Sequence, residues 1–157
     1  MNKNNRMINI IILIAIICLI VSLVIMLGKL KKVDNHIIEI DYEQYSEIIN
    51  KDEYSIILLT SPICDHCKDY KPKVNSVADE YQLTIYELNI TELSIEESIE
   101  IHDKYSLLQD RYDDNGNPTF RTPSTIITKD GEEVDMILGD AGYDGFLELL
   151  KNNGIVN

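Results

Sequence analysis

Residues 55–67 read SIILLTSPICDHC, an aliphatic run followed by two cysteines three positions apart. The run Ser55–Thr60 is rich in β-branched and aliphatic residues and ends at a Ser-Pro pair, which is typical of a buried strand and the turn after it. Beyond the cysteines, apolar residues recur at helical spacing as far as Tyr81. The sequence therefore predicts that Cys64 and Cys67 lie at a strand-to-helix turn, with Cys64 at the N-terminus of the helix.

This placement favours redox chemistry. Unpaired backbone N–H groups and the positive end of the helix dipole stabilise a thiolate at a helix N-terminus, and the thiolate is the form that attacks disulfides. The alternative is that the two cysteines have no redox activity and form an inert disulfide or a pair of core thiols. Zinc needs more ligands than two thiols, and only His36, His66 and His102 are candidates. A Cu(I) site on the soft thiolates is a further alternative.

The charge distribution limits the classes of partner that the chain is expected to bind. Residues 1–33 hold five of the 14 basic residues and none of the 27 acidic ones, so the remainder carries nine basic and 27 acidic residues. Such an acidic surface disfavours nucleic acid and anionic membrane surfaces as partners. From Asp34 onward the chain is long enough for one ordinary domain with a single core.

The N-terminal region predicts a membrane anchor. Residues 8–28 contain no charged side chain and are long enough to span a bilayer as a helix. A cleaved signal peptide is the alternative, but the apolar run is longer than usual and no small-x-small site precedes Lys29. We therefore expect a short tail at 1–7, an uncleaved transmembrane helix at 8–28 and a polar stem at 29–35. The short tail favours an N-inside orientation, which places the domain outside the cytoplasm, where disulfides persist.

Local patterns predict alternating strands and helices in the rest of the chain. We expect strands at 36–40, 55–60, 83–90, 124–128 and 133–138, and helices at 42–50, from the cysteine motif to about 81, and at 94–108, with a last one around 146–150. Asp41 is a candidate N-cap, and Ser94 with Glu97 forms a capping-box pattern. An Asp-Gly pair within Lys129–Glu132 indicates a hairpin turn. This order predicts a mixed central sheet covered by helices on both faces.

The chain resembles the thioredoxin superfamily over residues 36–157. Beside the dithiol, the resemblance rests on Pro72 in the following helix, Thr122-Pro123 before the late strand, the Lys129–Glu132 turn, and Gly139 after the last strand. Within the superfamily it is most similar to the bacteriocin transport accessory proteins, which are anchored in bacterial membranes. The resemblance implies a thioredoxin-like α/β fold, a mixed central sheet flanked by helices, here preceded by one transmembrane helix.

The resemblance also implies the roles of individual residues. Cys64 is the nucleophile that forms a mixed disulfide with the substrate, and Cys67 resolves it. Thr122 and Pro123 flank the dithiol and bind the substrate backbone, with Pro123 cis. No bound cofactor or metal is implied, and the partners are protein thiols and disulfides together with a partner redox protein.

The two residues between the cysteines are predicted to tune the redox potential in opposite directions. Positive charge on His66 stabilises the thiolate of Cys64 and makes the disulfide more oxidising. The carboxylate of Asp65 opposes a second negative charge beside it. The balance between these residues decides the direction of the reaction, and the sequence leaves it open.

Three departures from the family pattern stand out. Leu58 occupies the position of the family's buried acidic residue, which leaves open how Cys67 loses its proton. Ile63 replaces the usual tryptophan before the motif. The segment 94–120 is longer than in the family. The extra residues form either a substrate-facing lid or a tolerated insertion.

From the sequence we therefore expect a membrane-anchored thiol–disulfide oxidoreductase, either a reductase or an oxidase or isomerase. The alternative from another class is a non-catalytic thioredoxin-like binding module, such as an accessory subunit of an export system. A Cu(I)-handling protein is the third alternative.

Overall fold

The computed structural model of the protein describes residues 12–22, 35–109 and 111–157. Helix α1 covers residues 12–22, and its side chains are exposed. The predicted tail 1–7, both ends of the predicted anchor 8–28 and nearly all of the stem 29–35 lie outside the described residues. Within the described ranges, no helix combines the length and the apolar character needed to cross a bilayer.

From residue 35 onward, strands and helices alternate in the predicted order. The elements are β1 Ile37–Ile40, α2 Tyr42–Ile49, β2 Ser55–Thr60, α3 Asp65–Tyr81, β3 Ile85–Asn89, a 3-10 turn Ile90–Glu92, α4 Ile95–Lys104, β4 Ser124–Lys129, β5 Glu132–Leu138 and α5 Gly142–Asn152. They form one five-stranded sheet in the order β1-β3-β2-β4-β5. The pairs β1–β3 and β2–β3 are parallel, whereas β2–β4 and β4–β5 are antiparallel. The predicted mixed sheet is confirmed.

The central strand β2 is buried on both faces, and it is apolar on both. Ile56 and Leu58 point to one face and join a core with side chains of α3 and α5. Ile57 and Leu59 point to the other face and join a core with side chains of α2 and α4. All four of these side chains are buried, as expected for a central strand covered by helices on both sides.

Side-chain caps explain where two of the helices begin. The Asp41 carboxylate accepts a hydrogen bond from the backbone N–H of Gln44 at 2.9 Å, and the Gln44 side chain accepts from the Asp41 N–H at 3.1 Å. Ser94 and Glu97 form the same reciprocal pair at the start of α4. Both N-cap predictions are confirmed, because a cap satisfies backbone donors that the first turn of a helix leaves free.

The hairpin between β4 and β5 turns at Asp130 and Gly131, as predicted. Their φ angles are 53° and 80°, the left-handed conformation that a type I′ hairpin turn requires at both positions. A Cβ on Gly131 would also lie 2.7 Å from Oδ1 of Asn50. Glycine is therefore favoured there by its backbone angles, and a larger residue would also displace the Asn50 side chain.

The helix predicted over 94–108 was too long, since α4 ends at Lys104. Tyr105 leaves the helix in an extended conformation, with φ −106° and ψ 126°. Its hydroxyl pairs with that of Tyr45 at 2.6 Å inside the core. Tyr105 and Leu108 are both buried without continuing the helix, so tertiary packing overrides the helical spacing. The strand predicted over 83–90 was also too long, because β3 is confined to Ile85–Asn89.

Candidate active site

Cys64 and Cys67 lie at the N-terminus of α3, at the strand-to-helix turn that the sequence predicts. Cys64 is the N-cap of the helix, and its sulfur accepts a hydrogen bond from the backbone N–H of Cys67 at 3.1 Å. Cys64 is partly exposed, whereas only 3% of the Cys67 surface is accessible. Both are free thiols. One sulfur faces solvent and the other lies behind it.

The loop before β4 places Thr122 and Pro123 beside this dithiol. The Cys64 thiol donates to the carbonyl oxygen of Thr122 at 3.3 Å. The peptide bond between Thr122 and Pro123 is cis, as the resemblance implies. Gly139 secures the loop from β5, because its N–H donates to the Pro123 carbonyl at 2.7 Å. The structure therefore brings together the two cysteines and the two residues expected to flank them.

The two thiols differ in their tendency to ionise. Burial raises the pKa of Cys64, but hydrogen bonds with the side chains of Cys67 and Thr122 and with the backbone N–H groups of Cys67 and His66 outweigh it, so the pKa lies below its ordinary value. Burial raises the pKa of Cys67 to about 11, and its hydrogen bond to Cys64 adds to the shift. The exposed sulfur is thus the thiolate-prone one, as expected at a helix N-terminus.

The side chain of Asp65 pairs with a neighbouring cation. Lys68 Nζ lies 2.8 Å from Asp65 Oδ1, and this hydrogen bond lowers the pKa of the Asp65 carboxyl. Both side chains are exposed, so the pair has little effect on stability. Its consequence is electrostatic, because Lys68 offsets the negative charge that would otherwise oppose the Cys64 thiolate. The tuning roles of Asp65 and His66 stay predictions.

The other sequence features fall in different places. Ile63 is 86% exposed and stands directly before Cys64, so it forms part of the surface beside the dithiol. Leu58 is fully buried beneath α3. His36 pairs with Asp79 at 3.5 Å, and His102 is buried beside Tyr112. In the described part of the chain, no three His, Cys, Asp or Glu side chains cluster to hold a metal ion.

Sequence reasoning missed a charged cluster behind the dithiol. Glu87 on β3 is buried, accepts a hydrogen bond from the Thr60 hydroxyl at 2.7 Å and pairs with Lys71 of α3 at 2.6 Å. The signal was in the strand pattern, because Glu87 falls on the same alternating face as Ile85, a position that in a covered strand is normally apolar.

Alkylation of the reduced protein is expected to separate the two thiols by pH. In a Cys18→Ser background, iodoacetamide should modify Cys64 at neutral pH faster than an ordinary exposed cysteine, because its lowered pKa leaves more thiolate. Cys67 should resist until the pH approaches about 11, since only its thiolate reacts. Initial rates measured by peptide mass spectrometry across pH test this, and equal midpoints for the two thiols would contradict it.

Comparison with known proteins identifies one family and several solved structures that share its fold. The thioredoxin family model matches residues 36–152. Thioredoxin f2 of Chlamydomonas reinhardtii superposes with a TM-score of 0.60 at 12% identity, covering 77% of this chain and 99% of that one. Thioredoxin of Fasciola hepatica gives 0.52 at 22% identity, covering 71% and 93%. Thioredoxin of Trypanosoma brucei brucei gives 0.52 at 19% identity, covering 76% and 89%.

Proposed function

This chain belongs to the thioredoxin family, and on that premise we propose that it is a thiol–disulfide oxidoreductase acting on protein disulfides through Cys64 and Cys67. The observation that carries the proposal is the inequality of the two thiols. Cys64 is accessible and its pKa is lowered, whereas Cys67 is buried and its pKa is raised to about 11. An inert pair of core thiols would have no reason to differ in this way.

The geometry supports a two-step exchange. The Cys64 thiolate attacks one sulfur of a substrate disulfide and expels the other sulfur as a thiolate, which leaves a mixed disulfide. Cys67 then attacks the Cys64 sulfur, forms the Cys64–Cys67 disulfide and releases the second substrate thiol. Electrons pass from the protein to the substrate in this direction and return when a partner redox protein reduces the disulfide. Run in reverse, the same steps insert a disulfide into the substrate.

The same surface offers a place for the substrate backbone. Ile63 is an exposed apolar side chain on one side of Cys64, and Thr122 lies on the other at the carbonyl that the thiol contacts. An extended peptide laid across Thr122 and Pro123 would present its sulfur to Cys64. We therefore assign substrate binding to these two residues.

We further propose that the protein is anchored in a membrane through residues 8–28, with the domain outside the cytoplasm. The uncharged stretch of the sequence supports this, as does helix α1, whose described side chains are mostly apolar and exposed. The resemblance to bacteriocin transport accessory proteins supports a place beside an export system of a bacterial cell. Carbonate extraction tests the anchor, and a membrane-impermeant maleimide applied to intact cells tests the side, since Cys64 is reactive only if it faces outward.

The activity is tested with the purified full chain in detergent and a model protein disulfide. We expect catalysed exchange in the parent protein and none in Cys64→Ser. The equilibrium of the Cys64–Cys67 pair with glutathione gives its reduction potential, in which 30 mV corresponds to about 1.4 kcal/mol and so decides between reductase and oxidase. Absence of exchange in every redox buffer would instead support the non-catalytic accessory module.

A further inference from the structure

Glu87 is a buried carboxylate beneath the active-site helix. Only 6% of its surface is accessible. One of its oxygens accepts the Thr60 hydroxyl at 2.7 Å, and the other lies 2.6 Å from Lys71 Nζ. A buried carboxylate is costly unless it is paired and hydrogen-bonded, and Glu87 has both kinds of contact.

The sheet register places this carboxylate on the side of Cys67. Glu87 is paired with Leu58 across the parallel β2–β3 ladder, and residues paired in this way point to the same face. Leu58 faces α3. Lys71 follows Cys67 by four residues on α3, so the two side chains lie on one side of the helix. Position 58 carries no acid, but the neighbouring strand supplies one to the same face.

Cys67 and Glu87 line one cavity of about 420 Å³. Thr60 and Lys71 line it as well, and the exposed Asp41 and Pro62 stand where it meets the surface. The volume is ample for water molecules, and the polar walls offer them partners. The remaining charged groups around the cavity are Glu39, Lys68 and Glu92.

We propose that Glu87 accepts the proton of the Cys67 thiol, through solvent in this cavity, during resolution of the mixed disulfide. The inference rests on the proposed oxidoreductase function. The Cys67 S–H bond breaks and its proton passes by way of water to the Glu87 carboxylate. The Cys67 thiolate forms the bond to Cys64, the bond from Cys64 to the substrate breaks, and the substrate leaves as a thiolate. Glu87 then returns its proton to solvent through the cavity.

The rival explanation is a purely structural ion pair, and it predicts the opposite sign. Glu87→Gln leaves the Lys71 ammonium unpaired near Cys67. If only charge mattered, this cation would favour the Cys67 thiolate and speed the resolving step. If Glu87 accepts the proton, the same substitution slows that step.

The two steps are separated by reaction of the reduced protein with 5,5′-dithiobis(2-nitrobenzoate) in a Cys18→Ser background. Attack by Cys64 releases one equivalent of thionitrobenzoate, and resolution by Cys67 releases a second. At neutral pH we expect Glu87→Gln to slow the second phase about 100-fold, within the range for loss of a general base. The first phase should stay within about twofold, which also shows that the fold is intact. Glu39→Gln is the matched control, because Glu39 lines the same cavity and neighbours Glu87 in register on β1.

A second variant covers the case in which the unpaired lysine unfolds the domain. Glu87→Gln combined with Lys71→Met removes both charges together, and we expect the second phase to stay about 100-fold slow. A second phase at the parent rate, or a faster one, in either variant overturns the inference while leaving the oxidoreductase function in place. A parent protein that shows no first phase overturns the proposed function itself.

Discussion

Replacing Cys67 by serine is expected to hold the protein in mixed disulfides with its substrates. Cys64 remains a partly exposed thiol at the helix N-terminus and still attacks, but no second thiol lies behind it to resolve the product. A well-oriented internal nucleophile acts with an effective molarity of about 10⁵ M or more, against millimolar thiols in solution. The lifetime of the mixed disulfide should therefore lengthen by at least about 10³-fold. Non-reducing electrophoresis and mass spectrometry of the captured adducts measure it.

Two variants serve as controls for this trap. Cys64→Ser should capture no more than the variant that lacks both Cys64 and Cys67, because Cys67 is buried and its pKa is raised to about 11. Cys64→Ser combined with Cys67→Ser removes both thiols and reports adducts formed through Cys18. Equal capture by Cys67→Ser and Cys64→Ser would show that the buried thiol is as reactive as the exposed one, which is incompatible with the mechanism.

Local sequence patterns were enough to predict most of the elements. Strand β2 has the predicted bounds because its aliphatic run is bounded by a turn pair, and α3 ends at Tyr81 as its apolar spacing indicates. The caps at Asp41 and Ser94 involve residues only three positions apart, so they can be predicted from the local sequence. Interactions of this short range need no knowledge of the fold.

Long-range packing is what the sequence patterns did not reveal. The helix predicted to Leu108 stops at Lys104 because Tyr105 turns away to meet Tyr45, a residue 60 positions earlier. Isoleucine, tyrosine and leucine at 101, 105 and 108 have a spacing that a helix would also give, so periodicity alone could not separate the two structures.

The active site likewise combines local motifs with contacts between distant parts of the chain. The two cysteines and the Thr122-Pro123 pair are recognisable as motifs, and the structure brings them together. The cluster of Thr60, Lys71 and Glu87 is not a motif, because its members come from three elements and meet only through the β2–β3 register. Position 58 carries a leucine, and the buried carboxylate on this face of the sheet is Glu87 of the neighbouring strand β3.

Truncation of Leu108 is expected to be among the most destabilising single changes in the domain. The segment 94–120 was open to two interpretations, a substrate-facing lid or a tolerated insertion, and Leu108 is its test. This side chain is 0% exposed and belongs to the core between the sheet, α2 and α4. Leu108→Ala should lower the free energy of unfolding by about 2–5 kcal/mol, through lost burial and the cavity left behind. That is a large share of the roughly 5–15 kcal/mol of a typical domain.

The neighbouring leucine is a matched control for this prediction. Leu107 is 45% exposed, so Leu107→Ala makes the same chemical change at the next position and should alter the free energy of unfolding by only about 0.5 kcal/mol. Urea unfolding followed by far-ultraviolet circular dichroism, at a constant slope against denaturant, gives both values. Equal small effects would mean that residues 105–109 move independently of the core, as a lid does. A large effect at Leu108 alone means that the segment is a structural part of the domain. Any contact that it makes with a substrate is then made without a lid-like movement.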